Sequence, residues 1–136
     1  MSHAVKHAEP LFKSPETLAQ AFKRLGWDIK RNTTCRAYYS SRKYDYVAVN
    51  PEQHGYDFGF IIKDGKIELE ADTSMMSQAV WNTLGSNFEK LKQAYSLETI
   101  SDWTKVHSGT MNETRLANGI IELEIEVDKQ NVDLFA

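Results

Sequence analysis

Hydrophobic and polar positions along this chain change period three times, and each change marks an element. Leu18, Phe22 and Leu25 recur at helical spacing. Ser14-Pro15-Glu16 before them supplies a capping hydroxyl, a proline suited to the first turn and a carboxylate at the positive end of the helix dipole. Lys23 and Arg24 fit the last turn, and Gly26 the stop. The pattern predicts a short amphipathic helix that packs on a sheet.

Period two follows. Trp27 and Ile29 alternate with Asp28 and Lys30; Cys35, Ala37 and Tyr39 alternate with Arg36 and Tyr38; Tyr46 to Val49 is short and β-branched. Tyr56, Phe58, Phe60 and Ile62 point one way, with Asp57 and Gly59 opposed. After the turn signal Asp64-Gly65, Ile67, Leu69 and Ala71 oppose Glu68, Glu70 and Asp72. This predicts about five strands in an antiparallel meander, ending in a hairpin with an apolar and an acidic face.

Helical spacing returns in Met76, Ala79, Val80 and Leu84, meets Gly85, and continues through Phe88, Leu91, Tyr95 and Trp103 to His107-Ser108-Gly109. Asn118-Gly119 then joins a strand near Thr110–Thr114 to one at Ile120–Val127. In the latter, Ile121, Leu123, Ile125 and Val127 face in and Glu122, Glu124 and Glu126 face out. Clean alternation means one covered face per strand. The fold class is therefore α+β, a two-layer sandwich with a mostly antiparallel sheet and helices packed on one face. The 136 residues suit a single domain, with residues 1–12 and 130–136 as flexible ends.

Several motifs together resemble the hypothetical chloroplast reading frame thirty-five family. They are the opening Met1-Ser2-His3, the helix ending Leu25-Gly26-Trp27, a basic segment leading to Tyr38, the run Gly55-Tyr56-Asp57-Phe58-Gly59-Phe60, and Glu68-Leu69-x-Ala71-Asp72. The resemblance extends to about Tyr95. Ala4 stands where the family has an aromatic residue, and Thr73-Ser74-Met75-Met76 where it has an aromatic-rich segment. The family comprises small proteins of cyanobacteria and algal plastids, with relatives in other bacteria and in phages. The resemblance implies a small soluble protein of the stroma or host cytoplasm. It implies no activity, since the family is a domain of unknown function.

Composition narrows the chemistry. A formal net charge of −3 argues against a DNA-coating protein. No apolar run reaches the roughly 20 residues of a membrane span, and Met1 to Pro10 lacks the apolar core of a signal peptide. The single cysteine, Cys35, forms no internal disulfide and fits the cytoplasm. Its plainer reading is a small buried side chain. No metal or cofactor is expected. His3 and His7 would share a helical face, but Pro10 argues against that helix, and a polar arm is the plainer reading.

Charge is unevenly spread. Arg31, Arg36, Arg42 and Lys43 interleave with Tyr38, Tyr39, Tyr44 and Tyr46. Guanidinium forks suit phosphate and tyrosine rings suit bases. The group Arg31, Arg36, Tyr38, Arg42, Lys43 and Tyr44 is therefore the leading ligand site. It would serve a non-enzymatic binding module for a protein partner or an anionic ligand, a nucleotide or nucleic acid. The plainer reading is an exposed hairpin with aromatic cross-strand pairs. One alternative is a small enzyme using Asp57 with Glu68 or Glu70 on the outer face of the 56–72 hairpin; a solvated acidic face is its plainer counterpart. Another is an assembly adaptor that pairs a sheet edge with a partner or a second copy. Gly59, inside an aromatic strand, marks a bulge or a close approach.

Overall fold

A computed structural model of the chain describes residues 5–8, 11–36 and 41–127. The chain, read above as one domain, divides into two compact units, residues 1–96 and 97–136.

The first unit is built on a five-stranded antiparallel sheet. Its strands are β1 (Val5–Ala8), β2 (Asp28–Thr33), β3 (Tyr44–Val49), β4 (Phe58–Lys63) and β5 (Lys66–Ala71), in the order β1-β5-β4-β3-β2. Helices α1 (Pro15–Arg24), α2 (Gln78–Leu84) and the start of α3 (Glu89–Val106) supply the other layer. The α+β class is thus the one the periodicity predicts.

Helix α1 forms as its ends dictate. Ser14 Oγ accepts from the Thr17 backbone N–H at 3.2 Å, and Pro15 occupies the first turn. At the other end Trp27 N–H bonds Phe22 O and Gly26 N–H bonds Lys23 O, with Gly26 at φ +93°. This double closure is the Schellman motif, and its usual apolar contact is here the Phe22–Trp27 ring pair, 5.4 Å between centroids. Leu18 and Phe22 go into a core with Phe58, Phe60, Ile67, Leu69 and Leu91.

Three features depart from the sequence reading. The strand expected at Cys35–Tyr39 is absent over Thr34–Arg36, and residues 37–40 lie outside the described residues. The fifth strand comes instead from the start of the chain: β1, read as part of a flexible end, pairs with β5 from Val5↔Ala71 to Ala8↔Glu68. Phe12, just beyond, is buried. Third, the outer face of the sheet is not simply solvated, because Cys35, Tyr44, Val47 and Ile61 form a second, smaller core there. Ile62, expected with Phe58 and Phe60, is 40% exposed.

In the second unit α3 runs to Val106, and a hairpin follows, β6 (Thr110–Arg115) with β7 (Ile121–Glu126). The turn closes through Leu116 N–H to Ile120 O, with Gly119 at φ +86°. That is a three-residue loop ending in a left-handed glycine. Among the described residues no helix is long and apolar enough to cross a membrane.

Candidate functional site

The outer face of the sheet brings Asp57, Glu68 and Glu70 to one side, as alternation predicts. Their surroundings are not those of catalytic acids. Asp57 is buried, and its two oxygens are spoken for. Asn50 N–H donates to Oδ1 at 2.8 Å and Arg36 N–H to Oδ2 at 2.8 Å. The Arg36 guanidinium adds an ion pair, Nη2 to Oδ1 at 3.0 Å. Glu70 is buried too and accepts from the Tyr44 hydroxyl. Glu68 is half-buried opposite Ile61 in the β4–β5 ladder. Buried carboxylates that are paired in this way hold structure together.

Arg36 is the other half of that arrangement. Its Nη1 donates to Gln53 O and its Nη2 to Asn50 O, each at 2.8 Å. One side chain therefore clamps both ends of the 50–57 loop while neutralising Asp57. Asn50 tightens the same loop, donating to Tyr56 O and accepting from Glu52 N–H. With a longer bond to Glu52 O as well, a guanidinium committed to three carbonyls and a carboxylate has few donors left for a phosphate.

The remaining members of the basic aromatic group go to different places. Arg31 lies over the Tyr46 ring at 3.8 Å and donates to Asp45 O. Tyr46 faces the helices, where its hydroxyl donates to Glu16. Burial and that carboxylate raise the Tyr46 pKa, and backbone and Tyr46 hydrogen bonds lower that of Glu16. Tyr44 lies on the opposite face with Arg42 5.5 Å above its ring. Lys43 is exposed, and Tyr38 lies outside the described residues. The structure thus separates Arg31 from Arg42 and Tyr44 by the thickness of the sheet. What it does gather, unforeseen, is a hollow of about 160 Å³ lined by Lys30, Thr33, Thr34, Arg36, Val47, Val49 and Asp57. Lys30 and the threonines carried no signal beyond strand alternation.

Cys35 sits within this outer core. Burial first, then the charges of Asp57 and Glu70, push its pKa up to about 12. It is a protonated thiol at neutral pH, poorly suited to nucleophilic attack. Among the described residues no group of three or more His, Cys, Asp or Glu could hold a metal ion. His3 lies outside the described residues, while His7 belongs to β1 opposite Leu69. Gly59 answers to a close approach, that of the Tyr44 ring.

In the second unit the hairpin presents two unlike faces. Thr110, Asn112 and Thr114 stand opposite Glu126, Glu124 and Glu122, a polar face. Met111, Glu113 and Arg115 stand opposite Ile125, Leu123 and Ile121. The apolar members of this second face, expected to turn inward, are only half-buried, and Ile125 is 39% exposed. Ile120 in the turn and Val106 at the end of α3 are exposed too, at 55% and 79%. No known family, curated protein or solved structure matches the chain.

Proposed function

We propose that this protein is a non-enzymatic binding module that works by protein contact, through the apolar face of β6–β7, with a second copy of the chain as occupant. The observation that carries the reading is the row Met111, Ile121, Leu123 and Ile125, left half-exposed on a two-stranded sheet. Two strands alone are marginal in water and gain stability when their apolar face is covered. The polar members of that face fit a copy of themselves. Glu113 and Arg115 are two residues apart on one strand and point the same way. A two-fold axis crossing between two such faces at the level of Thr114 would set Glu113 of one copy against Arg115 of the other, and the reverse. In the first unit Asp57 and Glu70 are paired internally and Cys35 is buried with its proton held, which supports binding over catalysis.

Light scattering across a range of protein concentrations tests this. Self-association that rises with concentration is expected, with loss in Leu123→Lys and retention in Glu124→Lys on the polar face. Glu113→Arg alone weakens the association, and adding Arg115→Glu restores it. A wild-type chain that stays monomeric at every concentration sinks the reading.

A small anion is a second reading, favoured by the hollow beside Arg36. Lys30 and the hydroxyls of Thr33 and Thr34 line it and make no hydrogen bond to another group among the described residues. Inorganic phosphate should then stabilise the fold in thermal melts at low salt and lose that effect in Lys30→Ala. No stabilisation, or equal stabilisation of the variant, removes this reading.

A further inference from the structure

The passage from α2 to α3 is strained where periodicity alone shows only an interrupted helix. Gly85 is at φ +79°, Asn87 at +51° and Phe88 at +60°. Asn87 and Phe88 are consecutive non-glycine residues in the left-handed region, one of them aromatic, a backbone conformation that L side chains disfavour. At Gly85 a Cβ would lie 2.5 Å from Glu89 Cγ and 2.9 Å from the Lys90 backbone nitrogen. The reversal therefore leaves no room for a side chain at position 85. It opens a cleft of about 370 Å³ between the two helices, inside the first unit.

The walls of the cleft have a definite chemistry. Trp81, half-buried and packed on Phe88 at 5.7 Å, supplies a fixed aromatic surface. Asn82 is held from two sides: its Oδ1 accepts from Gln78 Nε2 at 2.9 Å and its backbone carbonyl from Lys90 Nζ at 2.7 Å. Its amide NH₂ is left as a donor. The Asn87 amide, the Ser86 hydroxyl and the Glu89 carboxylate also line the cleft. None of the three makes a side-chain hydrogen bond to another group among the described residues. Glu89 and Lys90 cancel in charge. The cleft therefore offers donors and acceptors with no net charge, beside an aromatic plane.

From this geometry we infer a binding site for a neutral, hydroxyl-rich ring, a carbohydrate unit, in the α2–α3 cleft. A sugar has an apolar C–H face that lies on an indole and a rim of hydroxyls that both donate and accept. Amides and a carboxylate satisfy such a rim, and orientation comes from a few fixed polar groups. A phosphate ester would place its charge beside Glu89 with only Lys90 to balance it. The left-handed Asn87 lies in this lining.

The test is two-dimensional NMR of the full chain titrated with glucose and N-acetylglucosamine, followed at the Trp81 indole N–H and the Asn82 and Asn87 side-chain amides. Saturable shifts at these three positions are expected with at least one sugar. Asn87→Gly keeps the left-handed backbone and removes the amide, so the fold survives; its affinity should fall by roughly two- to tenfold, as for one lost hydrogen bond. Glu89→Gln keeps the shape and should weaken binding similarly. Absence of saturable shifts with both sugars overturns the proposal. So does unchanged affinity in both variants, or a preference for inorganic phosphate over either sugar. None of these readouts depends on the β6–β7 hairpin.

Discussion

At position 59 a methyl group would lie 2.5 Å from the ring carbons of Tyr44. That ring cannot swing away cheaply, because Tyr44 is buried and its hydroxyl donates to Glu70. Gly59→Ala should therefore cost about 1–3 kcal/mol in urea unfolding. In a Tyr44→Ala background the same change should cost close to nothing, and a cycle showing simple additivity would refute the contact. Alternation places Tyr44 with Tyr46, yet the structure sets the two rings on opposite faces. A two-residue period carries no information about a side chain that crosses over a neighbouring glycine. The need for a glycine at 59 was legible; what approached it was not.

Elements show the same division between local and distant causes. Helix α1 was readable in full because its cap, its dipole charges and its Schellman stop all lie within the stretch from Ser14 to Trp27. The 64–65 turn and the break at Gly85 were readable for the same reason. The 50–57 loop was not, since it depends on Arg36 and Asp57, separated by 21 residues. Asp57→Ala should destabilise the first unit by on the order of 3 kcal/mol, because two backbone N–H groups and a guanidinium lose their acceptor together. The lower end of the range applies, as the Arg36 side chain is 38% exposed. Glu68→Ala, at a half-buried position with no such duty, should change stability by under about 1 kcal/mol. Equal effects in denaturant titrations would show that Asp57 does not organise the loop.

For the molecule as a whole, the buried thiol links fold to pH. Cys35 titrates near 9 when unfolded and is pushed up to about 12 when folded. The folded state thus holds its proton more tightly. The stability this contributes is fully present below pH 9 and is lost as pH rises through 12. Tyr46, raised from its usual 10 by burial, acts in the same direction. Unfolding free energy from urea titrations should fall between pH 9 and 11, and more steeply in wild type than in Cys35→Ala. Identical slopes would place the thiol in water. The sequence marked Cys35 as buried but not its two acidic neighbours, Glu70 from β5 and Asp57 from the loop just before β4.

The five-stranded sheet also constrains the order in which a ribosome can deliver it. β1, made before the other four strands of this sheet, pairs among the described residues with β5 alone, so Val5 waits for Ala71. The backbone N–H groups of Lys13 and Ser14 wait longer still, for the Tyr95 hydroxyl that accepts from both at 3.0 Å. During synthesis the opening segment therefore stays unpaired while β2 to β5, each adjacent in sequence to its neighbour, can zip behind it. Closure belongs to the moment residue 95 clears the exit tunnel, when a single phenol fastens an early part of this unit to one of its latest.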